Sequence, residues 1–129
     1  MATRSTIKFF ETYSDGEVCI ASIYQQFDGY ISGVGHALAK WLEAKEVING
    51  FSRQTMEQGF ANGMGCLAAQ FVATFKTRIG GLYMTSPDNS QDYDYEVRHI
   101  DGRFIITVDN FKGTPQELLA YDENAETED

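Results

Sequence analysis

Tyr93-Asp94-Tyr95-Glu96-Val97-Arg98, then Asp101-Gly102, then Phe104-Ile105-Ile106-Thr107-Val108: this stretch commits the chain to a sheet. Tyr93, Tyr95 and Val97 alternate with Asp94, Glu96 and Arg98, the period of two that puts apolar side chains on one strand face and charges on the other. Asp-Gly accommodates the positive φ of a tight turn, and the β-branched run after it returns antiparallel. Upstream, the same signs recur: Thr6-Ile7-Lys8-Phe9-Phe10 and Val18-Cys19-Ile20-Ala21-Ser22-Ile23-Tyr24 flank a turn at Ser14-Asp15-Gly16. Leu82-Tyr83-Met84-Thr85 reads as a further strand, followed by a polar loop around Pro87-Asp88-Asn89-Ser90.

Between the hairpins the period changes. Leu38, Trp41 and Leu42 recur at helical spacing after a start near Ser32 or Gly33, which predicts about three turns. After Asn49-Gly50 and Asn62-Gly63-Met64-Gly65, Leu67, Phe71 and Phe75 form an i, i+4, i+8 stripe joined by Ala68 and Val72, the expected core spine. Lys76, Arg78 and Gly80-Gly81 are the expected stop: cations for the negative helix end and glycine for a left-handed cap. Thr114-Pro115-Gln116-Glu117 is a capping box with proline at the first helical position, opening a short helix through Leu118, Leu119 and Tyr121. The order is ββααββ(β)α. It predicts an α+β fold with one antiparallel sheet of about five strands, two main helices on one face and a short C-terminal helix.

At 129 residues with 43% hydrophobic content, the chain suits one domain, expected over residues 1–121, with no need of disulfides or metal for its core. Residues 122–129 hold five of the nineteen acids and are expected to be a disordered acidic tail. The net charge of −9 disfavours duplex DNA and anionic lipid as partners. No run approaches the roughly 18 apolar residues of a membrane span, and the Met1–Thr6 segment lacks the apolar stretch of a secretory signal, so a cytoplasmic address is expected. Cys19 and Cys66 sit in apolar runs without CxxC spacing and read as buried free thiols.

Catalytic patterns are missing. His36 and His99 cannot build a three-histidine metal site, and no HExxH, GxSxG, GxxxxGK[ST] or GxGxxG occurs. The chain is therefore read as a binding protein rather than an enzyme, with no cofactor. The acids Asp88, Asp92, Asp94, Glu96 and Asp101 lack the glycine and terminal glutamate of a Ca²⁺ loop and read as a solvated strand face.

The glycine-rich junctions carry more information. Asp28-Gly29-Tyr30-Ile31-Ser32-Gly33-Val34-Gly35 lies between a strand and a helix, bordered by Tyr24 and Phe27. Amides and Ser32 at such a helix start can hold phosphate, the aromatic faces can stack on a base, and Asp28 can accept from a ribose or base donor. Arg4 adds a planar guanidinium, Ser5 and Thr6 add hydroxyls, and Asn62-Gly63 offers a second, similar junction. The structural alternative is that these glycines serve close packing, and that Arg4 pairs with Asp28 or Glu17.

Thr3-Arg4-Ser5-Thr6-Ile7 and Ile23-Tyr24-Gln25-Gln26-Phe27-Asp28-Gly29-Tyr30 resemble a family of short, mostly uncharacterised bacteriophage and bacterial proteins that open with T-R-S-T-I and carry I-Y-x-x-x-D-G-Y. The likeness is specific over the first quarter of the chain. Gln25-Gln26-Phe27 stands where relatives carry Cys-His-Trp, which removes cysteine and histidine chemistry from that place. The resemblance implies phage association and no particular reaction. The expectation is a nucleotide-binding protein that sequesters a cyclic-nucleotide or ADP-ribose-type immune signal without catalysis, as a homo-oligomer joined through an exposed strand edge. Its rivals are an interaction module that blocks a host enzyme through its acidic surface, and a small hydrolase using Asp28 or His36.

Overall fold

A computed structural model describes residues 2–50 and 59–121. The chain opens with a hairpin of β1 (Ser5–Tyr13) and β2 (Gly16–Gln25), in which Tyr13 faces Gly16 across the Ser14-Asp15 turn. Ala21 pairs with Phe9 but Cys19 with Phe10, so Ile20 is an extra residue in β2 and bulges the strand. A π-helical turn at Ile31–Gly35 leads directly into α1 (His36–Glu43). Two short strands, β3 (Glu46–Ile48) and β4 (Phe60–Asn62), pair in parallel before α2 (Gly63–Phe75). Then follow β5 (Leu82–Met84), β6 (Tyr93–Ile100), β7 (Arg103–Val108), β8 (Phe111–Gly113) and α3 (Pro115–Ala120).

The α+β class stands, but the sheet differs from expectation. It has six strands in the order β5-β2-β1-β6-β7-β8, and it is mixed rather than antiparallel because β6 lies parallel to β1, Ser5 opposite Tyr93 and Phe9 opposite Val97. The reason is the shortness of β5. Its three residues pair with Ile23, Tyr24 and Gln25, so residues 85–92 suffice to cross β2 and β1 and start β6 in the same direction. Three strands of three residues each, β3, β4 and β8, are too short to show a period in sequence.

One sheet face is the core. Ile7, Phe9, Ile23, Tyr95, Val97 and Ile106 join Leu38 and Leu42 of α1, Leu67 and Phe71 of α2 and Leu118 of α3 in a single buried cluster. Phe71 sits at its centre, with ring centroids 5.6 Å from Phe9, 5.4 Å from Trp41 and 4.6 Å from Phe75. The spine read from the stripe is thus present.

The other face is polar yet partly buried. Thr6, Lys8 and Ser22 lie beneath the crossing segment, where the Lys8 ammonium donates to the Asn89 carbonyl at 2.8 Å and the Thr85 amide to the Ser22 carbonyl at 2.9 Å. Asp94 is therefore no solvated acid: it accepts from Thr6, from Ser90 at 2.6 Å and from the Gln91 amide at 3.0 Å. Burial raises its carboxyl pKa, but these donors and the Lys8 charge outweigh that and hold it below the ordinary aspartate value. Cys19 and Cys66 are free but only half-buried. Residues 122–129, the expected tail, lie outside the described residues. No helix among the described residues is long and apolar enough to cross a membrane.

The end of α2 also departs from its reading. Lys76 does not cap the helix through its charge; its ammonium reaches forward to the carbonyls of Gly80 at 3.0 Å and Leu82 at 2.8 Å. Gly80 and Gly81 take positive φ in the loop beyond, four and five residues after the helix cap at Lys76.

Candidate functional site

The residues singled out in the sequence are divided by the sheet. Strand alternation sends Ser5 toward the core face and Thr6 and its partner Tyr24 toward the other. Thr6 is bonded to Asp94, and Tyr24 lies against Tyr83 with ring centroids 5.9 Å apart. The glycine junction packs on the start of β1 with several of its amides occupied. Gly29 donates to the Thr3 carbonyl at 2.9 Å, Gly33 to Tyr30 at 2.9 Å and Val34 to Asp28 at 2.8 Å. Tyr95 donates its hydroxyl to the Gly29 carbonyl at 2.7 Å.

Glycine is required here for closeness. A Cβ on Gly29 would stand 2.8 Å from that of Ser5, and one on Gly33 2.3 Å from the Asp28 carbonyl oxygen. Gly35 lies against the Tyr95 ring, and Ser32 is exposed on the π-turn. At the second junction, the Met64 amide at the start of α2 donates to the Glu11 carboxylate at 3.1 Å beside Gly63, so this helix start already faces an anion of its own chain. The Asn62 side-chain oxygen accepts from the Gly50 amide at 2.7 Å.

Arg4 is exposed. It is tied by its backbone, with its amide on Asp92 at 3.3 Å and its carbonyl accepting from Tyr93 at 3.2 Å. Glu17, one partner considered for Arg4, belongs instead to Arg98, which grips it with two hydrogen bonds of 2.8 Å. Asp28 is held in the left-handed region at φ 59° and accepts from the Tyr30 hydroxyl at 3.2 Å. That bond, and the charge behind it, raise the Tyr30 phenol above its usual pKa.

Beside the closed junction lies an open one. The end of β2 at Gln25 and the segment Phe27-Asp28 form one wall of a cleft of about 310 Å³, and Thr77, Arg78, Gly80 and Gly81 form the opposite wall. Its second wall is shaped by Lys76, whose two carbonyl bonds fold residues 76–82 back on themselves and whose ammonium also lies 5.3 Å from the centre of the Tyr83 ring. The Gln26 amide ties the loop to β2 through the Gly81 carbonyl at 2.8 Å. With the carbonyls so used, the amide N–H groups of residues 77–81 have no partner among the described residues, and neither does the Arg78 guanidinium. Phe27 is 44% exposed, so its ring is accessible from the cleft side of the chain.

The cleft gathers groups that can form hydrogen bonds and stack. Arg78 offers a planar fork of donors, the loop amides offer more, Phe27 offers a π-face and Asp28 an acceptor for a hydroxyl or amine. The C-terminal end of α2 contributes a negative partial charge worth about 0.3–1 kcal/mol against an anion. A charge-assisted bond from arginine is worth about 1.5–3 kcal/mol and prevails. Among the described residues that line the cleft there is no cysteine or histidine; Thr77 brings the hydroxyl and Asp28 the carboxylate.

Asp28 is the one residue singled out in the sequence that lines this cleft, alongside Phe27 of the same motif. The place of Arg78 on the cleft is not legible in the sequence, because a cation just after a helix has a ready capping role. Its signal was the Gly80-Gly81 pair two residues on, which marks exposed backbone as much as a helix stop. Compared with protein-family models, with curated proteins and with solved structures, the chain finds no match.

Proposed function

We propose that the protein is a non-catalytic binding protein that takes a compact, phosphate-bearing nucleotide derivative into the cleft beside Phe27 and holds it. The carrying observation is that Arg78, with Thr77, Gly80 and Gly81, whose amides have no partner among the described residues, lines one cleft together with an exposed Phe27 and with Asp28. Each matches one part of such a ligand: phosphate, base, and ribose or base donor. The size agrees, since about 310 Å³ is at the lower end of small-ligand sites and suits a mononucleotide unit. A nucleic acid polymer is disfavoured by the net charge of −9. Retention is the reading we take for a lining of arginine, backbone amides and an aromatic face, which are groups that bind. Taken with the likeness to phage-encoded proteins, the ligand on this reading is a nucleotide-derived immune signal removed by sequestration.

The test is calorimetric titration with adenosine monophosphate, ADP-ribose and cyclic dinucleotides, joined to mass spectrometry of small molecules released on heat denaturation. Arg78→Ala should weaken binding by about 10- to 150-fold, the equivalent of about 1.5–3 kcal/mol. Affinity that is unchanged in both Arg78→Ala and Phe27→Ala places the ligand elsewhere. Conversion of the probe to product would replace retention with catalysis.

A further inference from the structure

The outer edge of β2 is only half used. β5 pairs with Ile23, Tyr24 and Gln25, and the Thr85 amide reaches the Ser22 carbonyl. From Gly16 to Ala21 no strand lies beside that edge among the described residues. Natural sheets guard such edges with lysine, proline or a covering element, because the free N–H and C=O groups are a template for another strand. Residues 16–22 contain neither lysine nor proline. Their side chains on the helix side are apolar and open: Val18 is 53% and Ile20 42% exposed.

The neighbouring helix repeats the pattern. α2 has no charged residue in its 13 positions, a composition expected of a helix buried all round. Yet Ala69 is exposed, and Gly65, Ala69 and Val72 of α2 line with Ile20 and the 61% exposed Met84 a groove of about 340 Å³ that contains no charge. Strand edge and groove adjoin, so they form one surface.

We infer that this surface docks a second copy of the chain, β2 against β2 antiparallel about a two-fold axis, with each α2 and its groove covered by the other protomer. Charge selects this occupant. Two copies at −9 repel over most of their surfaces, and the groove is a place where they meet without opposing charges. Glu17, the one charged residue on the open segment, is neutralised by Arg98 of its own chain, so pairing buries no lone charge. The groove offers nothing ionic to a strongly acidic or basic partner. An occupant must bring an unpaired strand edge beside an uncharged apolar strip, and the same segment of a second copy brings both, in the self-complementary way a two-fold requires. The strand segment, β5 and the groove side of α2 lie side by side on this surface.

Sedimentation equilibrium of the full chain at micromolar concentration tests this. The wild type should run at twice the 14.5 kDa protomer mass, and Ile20→Lys and Ala69→Lys should each run at the protomer mass with unchanged circular dichroism. Ala69→Lys is the safeguard, since an exposed helical alanine accepts lysine without disturbing the core. Hydrogen exchange at residues 16–22 should slow as wild-type concentration rises and be independent of concentration in both variants. A wild type that stays monomeric overturns the inference, as does a dimer that survives both substitutions. Capture of a different protein on this face by a monomeric chain also overturns it, in favour of a foreign partner.

Discussion

Replacing Tyr95 by phenylalanine isolates the contact that seats the glycine junction on the sheet. Tyr95 is fully buried in β6, opposite Ile7 of β1, and its hydroxyl donates at 2.7 Å to the carbonyl of Gly29, itself a buried residue. The ring survives the substitution, so almost no apolar burial is lost, and the cost is that of leaving a buried carbonyl without this donor, about 1–3 kcal/mol. At this chain length each kcal/mol lowers Tm by about 3–5 °C, which puts the expected fall at about 3–15 °C. Calorimetry and urea titration measure it. The loss should also be local: hydrogen exchange at residues 28–35 should quicken more than in α3, because the Gly29 carbonyl belongs to the turn from which the π-helical segment and α1 start. A Tm within about one degree of wild type would refute the reasoning, showing that water or a neighbouring group replaces the hydroxyl at no cost.

Asp94 gives a pH signature. Its carboxyl is held below the ordinary aspartate value by donors that need it ionised, so its contribution to stability is complete above about pH 3.9 and is lost as pH falls through its own lower value. Asp94→Asn should therefore be less stable at neutral pH and lose less on acidification, read as urea midpoints across the acid range. Thr114→Ala should remove the capping box that receives the Glu117 amide at 3.3 Å, costing about 0.5–2 kcal/mol in urea unfolding and fraying α3 before the sheet in hydrogen exchange.

What was legible in the sequence was local. The Thr114 cap, the Asp101-Gly102 turn and the Leu67-Phe71 stripe are stated within a few residues by capping chemistry, turn geometry and helical period, and each is where that reading put it. Among the functional candidates, the Asp28-Gly29 motif reads in sequence as amides and an acceptor at a helix start, and in the fold Asp28 is left-handed and Gly29 touches β1. Whether such backbone opens to solvent or closes on itself is not a local property. It turned on Thr3, Ser5 and Tyr95 arriving to occupy it.

The sequence by itself determined the α+β class, both hairpins, the three helices and the scarcity of charge along residues 63–75. Only the tertiary structure decided that β6 lies parallel to β1, that Thr6 and Tyr24 part company with Ser5 across the sheet, and that Arg78 comes to face Phe27 and Asp28. The division follows the physics: periodicity and turn chemistry act between residues a few positions apart, whereas pairing between distant strands is a competition among whole arrangements for the same buried area. Arg4 and Arg78 have the same chemistry in sequence, and the fold alone lodges one of them in a cleft.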